Sequence, residues 1–319
     1  MPPYTPLDLL NLGDGFPSAS SHPSLYFESL STLTLLLHET HTIGYLLPSI
    51  ASTLRDPHLS GPHWSSNGNT ITLQGSTAEE RSSNIHATLN LWRAQHLFRV
   101  LDGWRDELYA VYAPRGELLF TIERSAAALF GLLTYGVHLT AFIHDPAYPG
   151  GLALWIPTRS RTKATYPGYL DNTVAGGISA GYTAFETIVK ECAEEASLPE
   201  VLVREKAKCV GAISYFYVRS EGAGGESGLL QPEVQYCYDL DLSDRRDVVP
   251  RPCDDEVEGF ELLGVEEVKR RLGEGKFKPN CALVILDFFV RHNILTPENE
   301  PHYLEIVARL HRTFEFPLR

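Results

Sequence analysis

Four glutamates, Glu186, Glu191, Glu194 and Glu195, fall within ten residues, and Lys190 is the one basic residue among them. They follow a glycine-bearing segment, Ala175-Gly176-Gly177-Ile178-Ser179-Ala180-Gly181. On a helix, Glu191 and Glu195 are four apart and neighbour each other. Holding like charges together at a half-buried edge is costly unless cations or hydrogen bonds compensate. Hard oxygen ligands of this kind suit magnesium or manganese. An acidic helix that merely faces solvent would carry the same acids. The preceding glycines favour the cation-binding reading, because they let backbone approach a ligand closely.

A helix must hold these acids, and its limits are visible. Thr183 and Glu186 have capping-box spacing, and Pro199 stops the run. Phe185, Ile188, Val189, Cys192 and Ala196 form its apolar stripe. Strand-like runs surround it: GVHLTAFIHD and GLALWIPTRS before, CVGAISYFYVRS and VQYCYDLDL after. A further strand and amphipathic helix in VEGFELLGVEEVKRRL precede two helices, CALVILDFFVRHN and HYLEIVARLHRTF. Upstream, the first 25 residues read as an irregular lead-in and residues 25–53 as helices. One strand is expected in GPHWSSNGNTITLQGS, a short helix in NIHATLNLWRAQHL, and a hairpin turned at Pro114-Arg115-Gly116 with a helix after it. Residues 1–132 carry seven arginines, no lysine and no ligand cluster, which sets them apart as a smaller α+β unit before residues 133–319.

Composition narrows the function. A formal charge of −13 argues against a nucleic-acid binder, which would show basic excess. No apolar run approaches the ~20 residues that span a bilayer. The five cysteines lack zinc-ligand spacing and suit reduced thiols, and no lysine or arginine precedes Arg55, so a cytoplasmic protein without a leader is expected.

Residues 176–198 resemble the Nudix box, G-x5-E-x7-R-E-U-x-E-E-x-G-U with U apolar. Gly176 matches the first glycine, Glu191 the first helix glutamate, Cys192 the apolar position, and Glu194 and Glu195 the acidic pair. Tyr182 stands where the first glutamate belongs, Lys190 where arginine belongs, and Ser197 where the last glycine belongs. Lysine lacks the bidentate fork of arginine, so the glutamates are held more loosely. The runs WIPTRSRTKATYPGYLDNTVAGGISAG, DDEVEGFELLGVEEV and FKPNCALVILDFFVRHNIL look like one Nudix branch, related to the Nudix part of fungal thiamin pyrophosphokinase fusions and to stand-alone fungal and plant homologues. LFRVLDGWRDELYAVY and ERSAAALFGLLTYGVHLTAF look like the N-terminal region that accompanies it.

That resemblance implies an α/β fold of Nudix type, an α/β/α sandwich with a mixed sheet. It implies a hydrolase that cleaves thiamin diphosphate analogues, particularly oxidised forms, to monophosphates with Mg2+ or Mn2+. Glu191 and Glu195, with Glu194 assisting and the Gly177 carbonyl as an extra ligand, would hold metal. Lys190 would orient the glutamates, and Glu256 matches a region where such enzymes place a further acid. Arg159, Arg161 and Lys163, with the Gly176 backbone, would meet the substrate phosphates. The expected partner is a small-molecule diphosphate, and the N-terminal unit is expected to shape the pocket or mediate pairing into a homodimer. Two readings compete: a Nudix-fold isomerase, whose cysteine motif and histidine ligands are not evident, and a silent binding or regulatory protein, motivated by Tyr182.

Overall fold

Residues 3–253 and 255–319 are described by a computed structural model; Met1 and Pro2 of the expected lead-in and Asp254 of the acidic turn lie outside the described residues. The chain opens with a helix, α1 (Pro6–Gly13), instead of an irregular lead-in. Its prolines mislead as breakers, since proline at the first helical position is favoured. Thr5 caps it by accepting from the Asp8 N–H, and Leu9 and Leu10 are buried among residues of the C-terminal unit.

Next come α2 (Pro23–Ser31), β1 (Thr34–His38), β2 (His41–Leu46), α3 (Pro48–Arg55), the one-turn α4 (Pro57–Ser60), β3 (Trp64–Asn67), β4 (Thr70–Leu73) and α5 (Ala78–Ala94). The leucine-rich run after α2 predicts helix, yet it forms β1. The cause is non-local: β1 lies in the middle of a sheet ordered β2-β1-β4-β3, antiparallel to β2 and parallel to β4. Where one strand was expected, β3 and β4 form a hairpin across Asn67-Gly68-Asn69-Thr70. The hairpin expected around Pro114 is present as β5 (Leu108–Tyr112) and β6 (Leu118–Glu123), followed by a 3-10 segment, Arg124–Phe130. Trp92 of α5 stacks on Phe130 at 5.7 Å in the core of this unit.

The second unit is built on β7 (Thr134–His144), β8 (Leu152–Arg159), β9 (Val174–Gly177), α6 (Ala184–Ala196), α7 (Glu200–Lys206), β10 (Lys208–Val218), β11 (Leu230–Asp241), β12 (Val257–Gly264), α8 (Val265–Gly273), α9 (Pro279–Arg291) and α10 (Tyr303–Leu310). Its sheet runs β10-β11-β7-β8-β12, with β9 also paired to β7. Among the described residues β11 and β7 form the one parallel pair of this sheet, which is therefore mixed. Alternation along β7 sorts the faces. Val137, Leu139, Ala141 and Ile143 pack with Ile188, Val189 and Cys192 of α6, whereas Phe142 joins Ile285 and Phe288 of α9. This is the α/β/α sandwich expected. The cysteines are all free, and among the described residues no helix is long and apolar enough to cross a membrane.

Candidate active site

The acidic helix is anchored at both ends. Thr183 accepts from the Glu186 N–H, as its spacing predicts. At the other end Ser197 adopts the left-handed conformation, φ 52°, and its N–H bonds back to Cys192. A glycine is the usual residue for that cap, so serine carries a backbone strain there. The segment read as a glycine loop is in part a strand: residues 174–177 form β9, pairing Gly136 with Gly177 and Val137 with Gly176.

That register brings the acids to the edge of the sheet. A Cβ on Gly176 would stand 2.6 Å from both Cγ and Cδ of Glu191, so the absence of a side chain lets Glu191 lie against the strand. Glu195 is bonded by the Ala175 N–H at 3.2 Å. Glu194 is about half exposed and pairs with Lys190 at 2.9 Å, while Lys190 also lies 3.6 Å from Glu191. Glu186 points away and forms a bidentate pair with Arg204 at 2.7 and 3.0 Å. Tyr182, in the place of the family glutamate, is 47% exposed.

Burial, reinforced by the charges of Asp171 and Glu191, pushes the Glu195 carboxyl well above the usual carboxylate range. Burial also raises Glu191, with Lys190 opposing it. Glu256 meets Glu195 through a side-chain hydrogen bond. Its burial disfavours ionisation, but Lys163 and Arg105 outweigh that and hold it below the ordinary value. Glu195 thus lies between Glu191, whose charge it feels, and Glu256, to which it is bonded, in a row of all-oxygen donors. Such crowding is relieved by a divalent cation, and hard oxygens fit magnesium or manganese. The residues present therefore fit the metal.

Beside these acids lies a cavity of about 450 Å³, bounded by Ala175, Gly176 and Gly177 on one side. Of the sequence-expected phosphate ligands Gly176 lines it, and Arg159, Arg161 and Lys163 do not. Arg159 is a correction: it is buried, bonds Asp171 at 2.6 Å and donates to the Tyr166 and Thr165 carbonyls, so its guanidinium is committed to the fold. Arg161 has a side chain that is 84% exposed and pairs with Glu258. Lys163 is occupied by Glu256. The cations that do line the cavity are Arg99, Arg105, Arg124, Arg219 and Lys278.

Three of those arginines come from the N-terminal unit, which has no ligand cluster of its own. The β5 edge grips the loop before α6: Ala180 N–H bonds the Leu108 carbonyl at 2.7 Å, and the Ser179 hydroxyl bonds Glu107 at 2.9 Å. Tyr109 is buried, and its hydroxyl would be 1.7 Å from a Cβ on Gly177, so this second glycine makes room for a tyrosine of the other unit. Arg124 packs over the Tyr109 ring at 5.6 Å and bonds Glu107 at 2.8 Å. Sequence reasoning weighs Tyr109, with Trp104 and Tyr112, as a wall of a heteroaromatic pocket against plain core packing, and gives Arg124 no role. The signal available was the arginine-only composition of residues 1–132.

His138 is buried, bonded to Asn172 at 2.7 Å, and burial lowers its pKa to about 4. Its ring, Asp171 and Cys281 offer ligand atoms within 4.8 Å of one another. Asp171 is already held by Arg159 and by the Cys281 thiol at 2.6 Å, and Lys278 adds positive charge beside all three. We read this cluster as a hydrogen-bonded buttress beneath the sheet edge against which the acids lie.

Residues 135–281 match the family model for the NUDIX domain, and residues 24–134 match a domain of unknown function, DUF4743. Nudix hydrolase 20, chloroplastic, of Arabidopsis thaliana is 33% identical over 89% of this chain and 74% of its own length. Nudix hydrolase 24, chloroplastic, of the same plant is 34% identical with the same coverage. An uncharacterized protein of Saccharomyces cerevisiae is 43% identical over 67% of this chain, and that match spans 63% of its length. The chain belongs to the Nudix hydrolase family, a family of diphosphate hydrolases.

Proposed function

We propose that the protein is a metal-dependent hydrolase of thiamin diphosphate analogues, with oxidised forms such as oxothiamin diphosphate as its substrates, releasing the monophosphate and phosphate. The observation that carries this is the row of carboxylates Glu191, Glu195 and Glu256 beside a cavity walled by cations. Glu191, Glu195 and Glu256 would hold Mg2+ or Mn2+, with Glu194 and the Gly177 carbonyl assisting. Bound there, the ion would lower the pKa of a water and offset charge on the diphosphate.

The chain's own residues do the rest. Glu194, half exposed at the edge of the set, can relay the proton that an attacking water loses. Lys190 positions Glu191 and Glu194. Arg105 and Lys278 on the cavity wall offset phosphate charge. Tyr109, Tyr166 and Tyr217 offer aromatic faces suited to a heteroaromatic ring. In this reading the chain divides at 132/133, the N-terminal unit completes the pocket, and the protein works in the cytoplasm, although its two Arabidopsis relatives are named chloroplastic.

Phosphate release from oxothiamin diphosphate, with and without Mg2+, tests this reading. Metal-dependent formation of the monophosphate is expected. Failure with every diphosphate tried would sink it and favour the silent binding protein that Tyr182 motivates. Turnover of nucleoside diphosphates in preference to thiamin compounds would keep the hydrolase and remove the substrate class.

A further inference from the structure

A carboxylate on the cavity wall, outside the row of acids that would hold metal, is surrounded by neutral donors. Glu233 on β11 lines the cavity and accepts from the Gln231 amide at 2.6 Å, the Gln235 amide at 3.1 Å, the Thr134 hydroxyl at 3.4 Å and the Tyr215 hydroxyl. Such donors orient an ionised carboxylate and leave its charge in place. The cations on the wall face other partners. Arg105 pairs with Glu256 at 3.8 Å, Arg124 with Glu107 at 2.8 Å, and Lys278 stands beside Asp171. Arg99 donates to the Gly225 carbonyl, and Arg219, although it feels the Glu233 charge, donates to the Ala223 and Gly224 carbonyls.

A second atom calls for the same kind of ligand. Gln235 is 5% exposed and lines the cavity, and its Oε1 has no hydrogen-bond partner among the described residues. Its amide nitrogen donates to Glu233 and, at 3.0 Å, to the Tyr215 hydroxyl, whose own proton goes to Glu233. Turning the amide would press oxygen against two acceptors, so the network fixes the oxygen as the free end. Tyr109, Tyr215 and Tyr217 line the same cavity, and the faces of their rings attract positive charge.

Strand register sets this electron-rich end apart from the acids of α6. Gln235 is the partner of Gly136 across β11 and β7, and Gly136 is the partner of Gly177 across β7 and β9. Glu233 lies two residues further along β11, opposite Thr134. Two strand spacings across and two residues along separate the Glu233 and Gly177 backbones by roughly 12 Å.

We infer that Glu233 is the counter-ion for a substrate ring with a permanent positive charge, an N-alkylated heteroaromatic cation. The inference rests on the reading that a diphosphate ester occupies this cavity. Its phosphates would lie near Gly176 and its ring charge at Glu233. A neutral ring of the same shape would cover the carboxylate and leave it desolvated without a partner, which is costly. Thiamin compounds meet the requirement in their amino and their oxidised forms alike, because the charge belongs to the thiazolium ring. A pyridinium nucleotide meets it too, whereas an adenine nucleotide does not.

Calorimetric binding of monophosphates tests this without requiring turnover. Oxothiamin monophosphate is compared with its neutral thiophene counterpart, in which carbon replaces the charged ring nitrogen. Oxidised nicotinamide mononucleotide is compared with its reduced form, whose ring is uncharged. In the wild-type protein the cationic member of at least one pair is expected to bind at least tenfold more tightly, and that pair identifies the ring. Glu233→Gln should reduce the preference below threefold and leave the affinity for the neutral member within threefold. Affinities within threefold in both pairs, or no binding by any of the four compounds, would overturn the inference, as would a preference that survives in Glu233→Gln. Should that variant not fold, Glu233→Leu combined with Tyr215→Phe removes the charge together with the hydroxyl facing it and decides by the same criterion. A preference without hydrolysis would count against the proposed function alone, and hydrolysis without a preference against this inference alone.

Discussion

Replacing Gly176 with alanine separates the placement of the Glu191 carboxylate from its presence. The added methyl would stand 2.6 Å from Cγ and Cδ of Glu191 and 2.8 Å from its Oε1. Carbon atoms in contact prefer about 3.5–4.0 Å, so the carboxylate must retreat by about 1 Å. The obstacle is the far part of a flexible side chain, and the strand backbone can stay where it is. Destabilisation should therefore fall at the low end of the roughly 1–3 kcal/mol typical of overpacking. Catalysis should suffer more, because a misplacement of about 1 Å can lower a rate about 100-fold, or about 2.7 kcal/mol of transition-state stabilisation. Steady-state phosphate release across a Mg2+ titration is the assay, with thermal unfolding as the control. We expect kcat to fall about 100-fold and the metal requirement to rise. Combining Gly176→Ala with Glu191→Gln should cost no more than Glu191→Gln alone, since both act on one carboxylate. A folded Gly176→Ala protein with kcat within threefold of wild type would refute the placement argument.

Glu195→Gln keeps an oxygen for the Ala175 N–H and removes only the charge; turnover should be abolished and any Mg2+-induced rise in Tm lost, whereas near-normal turnover would remove Glu195 from the metal set. Gly177→Ala sets a methyl 1.7 Å from the Tyr109 hydroxyl and should cost about 1–3 kcal/mol. Adding Tyr109→Ala should recover part of that loss, and strictly additive effects in a double-mutant cycle would mean that Tyr109 does not pack on this strand. Because the folded pKa of His138 is depressed from 6.5 to about 4, the stability it contributes is present above pH 6.5 and lost as pH falls through that window. The loss amounts to roughly 3 kcal/mol in all. Urea unfolding at pH 7 and pH 4.5 should show a smaller acid loss in His138→Gln, and equal losses in the two proteins would contradict the assignment.

Local signals carried far in the second unit. The α6 cap at Thr183, its apolar stripe and the three glutamates were legible because each depends on residues within a turn or two of one another. The strand alternation of β7 and β8 was legible for the same reason. In the first unit local signals misled where distant pairing decides. The leucine-rich run became β1 only because β2 and β4 flank it, and Pro6 opened a helix whose apolar face docks on the other unit.

The sequence by itself determined the acidic site in outline: a glycine-bearing segment, a capped helix and acids at fixed spacing, all within residues 171–199. Tertiary structure alone decided what surrounds it. Arg159 read as a phosphate ligand from its place in a basic run, and only burial against Asp171 shows that its donors are already committed. Tyr109 of β5 and Arg124, just after β6, reach the site from far upstream. Spacing along the chain encodes contacts a turn away. Contacts between remote segments arise only when the sheet sets its register, and no single stretch records that register.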